Sequence, residues 1–284
     1  MALVTATTFG MDEHAVHAIR PDVVIRVTRE MAPLSRALEA RIDQLWAAAA
    51  ARVDKGGAGR LFNGRIFSID TIAPDRIEGH LTEYRRQVAQ MEDNALFPDL
   101  GLRPLAVVGV THCADGIVIG RRHAGAVYQP GMWQLCPAGS VDIAARRPDG
   151  TMDLRGQLLM ELREELGVNP DAMRDVTALC LVEHPGSHVS DLGLAVCTTL
   201  DGDAITRAHR ARGNAEYEEL RIVPTAELAA FIDENRASIV PPAPIFLARA
   251  GWLDRAASPP TGPQAASGNA TATDANTSPT AHTK

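Results

Sequence analysis

The sequence has few aromatic residues, which make up 4% of its 284 positions, so its core must be largely aliphatic. It also has no run of Lys and Arg, and its formal net charge is −7, from 28 basic and 35 acidic residues. A protein that binds nucleic acid needs a basic surface to neutralise phosphates. We therefore expect no nucleic-acid partner. A hydrophobic content of 45% is ordinary for a globular protein.

Long apolar runs are absent as well, and none approaches the roughly 20 residues that span a bilayer. The mildly apolar segment 1–10 has no basic stretch before it, so we predict neither a signal peptide nor a membrane partner. Cysteine is scarce, without a Cys-x-x-Cys pair, and three of the four lie in apolar runs that predict buried free thiols. This usage favours a cytoplasmic location. The cysteines are Cys113, Cys136, Cys180 and Cys197.

Composition divides the chain into three regions. Residues 255–284 contain no Val, Leu, Ile, Met or aromatic residue. Such a segment buries too little apolar surface to offset its ordering entropy, so it predicts a disordered tail. Residues 1–100 are predicted to form an accessory region, and residues 101–254 a main domain.

In the accessory region, leucine and isoleucine recur at helical spacing over 33–53. Two β-like runs follow, separated by Ala73-Pro74-Asp75, and predict a small antiparallel element. The predicted elements are a strand over 23–27, a helix over 33–53, strands over 61–72 and 76–84, and a helix near 84–95.

In the main domain, Asp115-Gly116 between two apolar runs predicts a hairpin. The order of elements favours an α+β fold or a sandwich of helices around a sheet over a doubly wound sheet. Thr225 is predicted to cap the last helix. The predicted strands cover 105–110, 117–120, 133–135, 176–183, 192–200 and 217–223, and the helices 153–166 and 225–235.

The helix over 153–166 carries three glutamates without a local countercharge. Its four leucines form one buried stripe, and Glu161, Glu164 and Glu165 lie on a neighbouring stripe. No Lys or Arg stands three or four positions from any of them, and the macrodipole disfavours anions near a helix C-terminus. The pattern indicates a site for a hard divalent cation, Mg²⁺ or Mn²⁺. An exposed acidic face is an equal alternative on the helix alone.

The segment WQLCPAGSVD (133–142), followed by a helix ending in ELREELGV (161–168), resembles the Nudix hydrolase signature G-x5-E-x7-R-E-U-x-E-E-x-G-U. Here Gly139 and Glu161 are 22 positions apart instead of 15, Met160 replaces the arginine, and the first glutamate has no clear counterpart. The resemblance implies that Glu161, Glu164 and Glu165 are catalytic and bind the metal, with the Gly139 carbonyl as a further ligand. Without a metal, repulsion between the three carboxylates should raise the pKa of at least one of these glutamates.

The resemblance also implies a Nudix α/β/α sandwich with a mixed sheet, plus a small N-terminal α/β accessory region. It implies hydrolysis of the diphosphate of a nucleoside-diphosphate-linked metabolite, a small-molecule partner, with Mg²⁺ or Mn²⁺ as cofactor. A homodimer is compatible with it.

Residues 33–142, with the segments LFNGRIFSI (61–69) and LTEYR (81–85), are similar to the accessory region of the Nudix branch that hydrolyses UDP-glucose and UDP-galactose. This similarity implies UMP and a sugar 1-phosphate as products. Two alternatives stay open. One is a non-catalytic nucleotide-binding sensor, and the other is a pyrophosphatase for ADP-ribose or a dinucleotide.

Further charged residues are candidates for the same site. Arg121 and Arg122 follow a predicted strand, and paired guanidiniums suit substrate phosphates, although a solvated strand end is an equal alternative. Many Nudix relatives carry another acidic residue near the metals, and Glu218 is the candidate for that position.

Tyr128 and Trp133 are candidates for stacking on a base, with core packing as the equal alternative. His184 and His188 are candidates for lining the pocket, although a surface position is favoured for both. Cys136 is two residues short of the catalytic cysteine position in isopentenyl-diphosphate isomerases, so we expect no catalytic role for it.

Overall fold

The computed structural model describes residues 14–56 and 60–253 of the chain. The predicted tail, 255–284, lies outside the described residues. Within them the chain forms eleven strands and seven α-helices. None of these helices is long and apolar enough to cross a membrane.

Three strands among the described residues before position 100 form a small mixed sheet, whereas β1 joins the large sheet beside β9. Strands β3 and β4 make the predicted antiparallel hairpin, and β2 adds to β4 in parallel, giving the order β2-β4-β3. The elements are β1 (Ala15–Ala18), β2 (Val24–Arg29), α1 (Arg36–Gly56), β3 (Arg65–Ala73), β4 (Arg76–Glu83), α2 (Tyr84–Glu92) and α3 (Phe97–Leu100).

The larger sheet has the order β1-β9-β10-β5-β6-β11, with β7 on β6 and β8 on β5. It is mixed, because β10 and β5 are parallel and the other pairs antiparallel. Its elements are β5 (Leu105–Cys113), β6 (Gly116–Arg122), β7 (Trp133–Leu135), β8 (Ala138–Ser140), α4 (Leu154–Leu166), β9 (Met173–Glu183), β10 (Ser190–Thr198), α5 (Gly202–Arg212), β11 (Tyr217–Val223), α6 (Leu228–Glu234) and α7 (Pro242–Arg249).

Helices cover both faces of the large sheet. Val107 belongs to the core shared with α4 and α5, whereas its neighbour Val108 belongs to the core shared with α6 and α7. Adjacent strand residues face opposite sides, so the two cores mark two faces. The α+β prediction of a helix–sheet–helix sandwich with a mixed sheet is confirmed. Phe67 and Leu81 of the small sheet join the α4 core.

The hairpin of β5 and β6 opens soon after its turn. Direct pairing is confined to His112 with Ile117 and Cys113 with Gly116. Beyond that point β8 pairs with β5 and β7 with β6. This branching places β8 beside α4, the helix that carries the glutamates.

Helix α4 forms as the leucine pattern predicts. Leu158, Leu162 and Leu166 are buried in the core. The Asp153 carboxylate accepts a hydrogen bond from the Gly156 N–H at 2.9 Å and caps the N-terminus. The helix ends at Gly167, whose left-handed backbone (φ 62°) suits glycine.

Three features of the prediction need correction. Thr225 does not cap α6: it belongs to a 3-10 turn, and α6 begins at Leu228 without a side-chain cap. Helix α5 has no predicted counterpart; a polar, arginine-rich segment buries only a narrow face. Helix α7 has none either, because Pro242 and Pro244 in its first turn favour a loop reading.

The four cysteines are all free, and the prediction of three buried thiols is confirmed for Cys113, Cys136 and Cys180. Cys197 is exposed.

Candidate active site

A cleft of about 390 Å³ lies where the first hundred residues meet β8 and α4. Its volume falls within the range of small-molecule sites. The accessory region contributes Phe62, Gly64, Ile66, Tyr84, Gln87 and Met91 to its lining. From the larger sheet and α4 come, among others, Arg122, Tyr128, Gln134, Ala138, Gly139, Asp142, Glu161, Glu165 and Glu216.

Two glutamates of α4, one helical turn apart, line this cleft. Glu161 Oε1 accepts a hydrogen bond from Gln157 Nε2 at 2.7 Å. Glu165 is almost fully buried, and its Oε2 accepts hydrogen bonds from the Ala138 N–H at 3.0 Å and the Tyr217 hydroxyl at 3.1 Å. In the described part of the chain, the second oxygen of each carboxylate has no hydrogen-bond donor.

Both carboxyl groups have raised pKa values. Burial raises the pKa of Glu161 to about 7, against the opposing hydrogen bond from Gln157, and the charge of Glu164 adds to the rise. Burial raises the pKa of Glu165 well above its usual range, with Glu161 as the next cause. The expected upward direction of the glutamate pKa is confirmed, but burial contributes more than the repulsion on which that expectation rested.

The third glutamate lies apart from this pair. Glu164 is exposed and does not line the cleft, although its backbone carbonyl accepts a hydrogen bond from the Asn214 N–H at 2.9 Å. Within residues 14–56 and 60–253, no group of three or more His, Cys, Asp or Glu side chains is placed to hold a metal ion. The structure therefore brings together two of the three predicted ligands.

Two carboxylates nevertheless match the chemistry of one divalent cation. Mg²⁺ is usually held by one or two carboxylates, with waters and substrate phosphates completing its octahedral shell. Glu161 and Glu165 each keep one oxygen without a donor, in a buried setting where negative charge is otherwise unfavourable. The donor set fits a cation whose remaining ligands arrive with the substrate.

Gly139 in β8 is required by its contact with Glu161. A Cβ atom on Gly139 would lie 2.2 Å from the carboxyl carbon of Glu161, closer than real contacts allow. Any other residue would displace that carboxylate. The metal-ligand role of the Gly139 carbonyl stays a prediction.

Of the two adjacent arginines, only Arg122 lines the cleft. Its guanidinium donates to Gln134 Oε1 at 2.6 Å and to the Tyr128 carbonyl at 3.1 Å, and it pairs with Glu216 at 3.0 Å. Arg121 is exposed and lies on the Trp133 side, because neighbouring residues of a strand point to opposite faces. The fixed guanidinium of Arg122 can bind a phosphate oxygen.

Of the two acidic residues Glu216 and Glu218, only Glu216 lines the cleft. Glu218 is 42% exposed on its side chain and accepts a hydrogen bond from the Ala124 N–H at 3.0 Å, outside the cleft lining. Glu216 lines the cleft and holds Arg122. Both belong to one acidic run, and composition cannot tell which member faces inward.

Of the two candidate stacking residues, one lines the cleft and the other does not. Tyr128 lines the cleft, and its hydroxyl lies 3.0 Å from Ser187 Oγ. Trp133 is 4% exposed and packs edge-to-face on Phe231 with ring centroids 5.6 Å apart. Trp133 is therefore a core residue, the alternative that the sequence left open.

Neither predicted histidine lines the cleft. His184 is buried and its Nε2 lies 2.8 Å from Asp191 Oδ2, so the favoured surface position is wrong for it. His188 stacks on Phe97 with ring centroids 3.5 Å apart. Cys136 is fully buried, which raises the pKa of its thiol well above the usual range, in keeping with the absence of a catalytic role.

No family model and no curated protein matches the chain. Similar solved structures include DR0079 of Deinococcus radiodurans (15% identity, 64% of this chain and 96% of that one, TM-score 0.40). They also include an Ap4A hydrolase of C. elegans (12%, 52% and 95%, TM-score 0.33) and the Nudix hydrolase RenU of M. smegmatis (17%, 45% and 74%, TM-score 0.32). Values this low leave the function to be argued from the residues of the cleft.

Proposed function

We propose that the chain is a divalent-metal-dependent hydrolase of the Nudix type, acting on the diphosphate of a nucleoside-diphosphate-linked metabolite. One observation carries the proposal: Glu161 and Glu165 line a cleft, and among the described residues neither forms an ion pair with a basic side chain. The arginine that lines the cleft, Arg122, forms its ion pair with Glu216 instead. Buried carboxylates with raised pKa values in a cleft are a recognised mark of a functional site.

Mg²⁺ or Mn²⁺, held by Glu161 and Glu165, would neutralise charge on the diphosphate and lower the pKa of an attacking water. The remaining residues position groups. Gln157 donates to Glu161 and orients its carboxylate, and the Ala138 N–H and the Tyr217 hydroxyl do the same for Glu165. Arg122 binds a phosphate oxygen, with its direction set by Glu216.

A UDP-sugar is the proposed substrate, and UMP and a sugar 1-phosphate the products. The support is the similarity of residues 33–142 to the UDP-sugar-hydrolysing branch, together with the position of that region. Phe62, Tyr84 and Gln87 line the same cleft as the glutamates, so the accessory region can contact the substrate.

The test is a substrate panel with product masses. UDP-glucose, UDP-galactose, ADP-ribose and a dinucleoside polyphosphate are incubated with Mg²⁺, with Mn²⁺ or with EDTA. We expect metal-dependent release of UMP from the UDP-sugars. Release of AMP alone would replace the proposed substrate by ADP-ribose or a dinucleotide.

The second test asks whether the buried pair is responsible. Glu165→Gln keeps the hydrogen-bond acceptor for Ala138 and Tyr217, so we expect the fold to be retained while turnover falls by about a hundredfold or more. Arg155→Gln, an exposed change on the same helix, is the matched control and should leave turnover unaltered. Full activity in Glu165→Gln would contradict the assignment.

A non-catalytic nucleotide sensor is the second candidate. It is favoured by the position of Glu164 outside the cleft, which leaves two acidic ligands from α4. Saturable nucleotide binding without turnover of any panel member would select it.

A further inference from the structure

Helix α2 presents one face to the cleft. Tyr84, Gln87 and Met91 are spaced by three and four residues, so they share a side of the helix, and all three line the cleft. Phe62, which is 82% exposed, joins them in the lining. These four side chains, called the α2 face below, comprise the aromatic rings of Tyr84 and Phe62, the thioether of Met91 and the amide of Gln87.

The two glutamines of α2 differ in their hydrogen bonding. Gln90 Nε2 donates to the Leu102 carbonyl at 2.8 Å, and Gln90 Oε1 accepts from the Leu102 N–H at 3.0 Å. Gln87 is 6% exposed, and among the described residues its Oε1 has no hydrogen-bond partner. A buried oxygen without a donor is unfavourable and uncommon in folded proteins. Gln90 is thus satisfied by the fold, whereas Gln87 requires a donor from elsewhere.

The helix that carries Gln87 is held in place. Arg85 and Arg86 donate to the two oxygens of Glu39 in α1 at 2.6 and 2.7 Å. Tyr84 packs edge-to-face on Trp46 of α1 with ring centroids 6.1 Å apart. These contacts hold the backbone just before Gln87, which is one of the residues that line the cleft.

We propose that the α2 face is the nucleobase subsite of the cleft, with the Gln87 carboxamide forming a hydrogen bond to the edge of the base. This proposal rests on the proposed function, which supplies a nucleoside ligand. A carboxamide offers a donor beside an acceptor and therefore pairs with the imide edge of uracil, which offers an N–H beside a carbonyl. The exposed ring of Phe62 offers a surface for stacking.

The experiment separates the base from the rest of the ligand. Binding of UMP and of ribose 5-phosphate, which lacks the base, is measured by calorimetry for wild-type protein and for Gln87→Leu. We expect Gln87→Leu to weaken UMP binding about tenfold and to leave ribose 5-phosphate binding unaltered. Gln87→Leu should also keep or raise the melting temperature, because it removes an unpaired buried oxygen. Gln90→Leu is the matched control and should lower the melting temperature.

Three results would overturn the subsite. The first is UMP binding in Gln87→Leu equal to wild type. The second is a loss of stability in Gln87→Leu as large as in Gln90→Leu, which would make the role structural. The third is binding of UMP, CMP, AMP and GMP no tighter than that of ribose 5-phosphate.

Failure of the proposed function gives a different result. UMP binding that depends on Gln87, in a protein that turns over no substrate, would keep the subsite and remove the hydrolase. Turnover of UDP-glucose with unaltered kcat/KM in Gln87→Leu would keep the hydrolase and remove the subsite.

Discussion

Helices α2 and α4 both line the cleft, but the charged side chains of α2 form ion pairs whereas the two cleft glutamates of α4 do not. In α2, Arg85 and Arg86 form ion pairs with Glu39 of α1. In α4, Glu161 and Glu165 receive hydrogen bonds from neutral donors only. The ion pairs hold α2 against α1, whereas the carboxylates of α4, which have no ion pair, can bind a cation.

The largest expected effect is the pH dependence of stability in α4. Because burial raises the pKa of Glu161 from 4.5 to about 7, the folded protein binds its proton more tightly than the unfolded chain does. Metal-free stability from this group is full below about pH 4.5 and is lost as the pH rises through 7. Urea unfolding in EDTA should show Glu161→Gln gaining about 2.5 kcal/mol on wild type between pH 5 and 8.

Subtracting the variant removes the contribution of other groups, such as His80, whose pKa burial lowers. A difference between wild type and Glu161→Gln that does not change with pH would show that Glu161 is not enclosed as described.

The next effect concerns the paired helix. Glu39→Gln removes one of the two negative charges that Arg85 and Arg86 share, the other being that of Glu83. Arg86 has only 7% of its side chain exposed. We expect a loss of about 2 kcal/mol in the free energy of unfolding at neutral pH. Asp43→Asn is the control, because Asp43 pairs with Arg85 while 68% exposed and should cost about 0.5 kcal/mol. Equal losses would remove the distinction between the buried and the exposed pair.

The smallest effect is expected at Glu164. Glu164→Gln changes an exposed side chain, so unfolding should move by less than about 0.5 kcal/mol. We expect turnover to fall less than in Glu165→Gln. An equal fall in both variants would favour the three-glutamate metal site that the Nudix resemblance implies.

Local periodicity accounts for what could be predicted from the sequence. The leucines of α4 recur every fourth residue, and the structure buries Leu158, Leu162 and Leu166 as that stripe predicts. The β5–β6 hairpin follows in the same way from Asp115-Gly116. The sequence does not predict helix α7, because Pro242 and Pro244 favour a loop locally. Its stability comes from burial against the sheet, which local periodicity does not show.

The sequence does not show which of two neighbouring charged residues lines the cleft. Arg121 and Arg122 stand side by side, and Glu216 and Glu218 belong to one acidic run. Which arginine faces the cleft depends on the register of β6, where a shift of one residue reverses every side chain. Glu216 and Glu218 are two positions apart, and the shift in register between Tyr217 and Glu219 of β11 separates their surroundings. No sequence pattern singles out Gln87, because the lack of a hydrogen-bond donor for its Oε1 depends on residues that are its neighbours only in the folded chain.

The sequence by itself determined that three carboxylates without countercharge lie on α4 and that a glycine stands ahead of them. Only the tertiary structure decided that Glu161 and Glu165 face the cleft while Glu164 does not, and that α2 supplies part of its lining. The reason is physical. Helix period and capping depend on residues a few positions apart, whereas burial depends on contacts between α4, β8 and β11 that are distant in the chain.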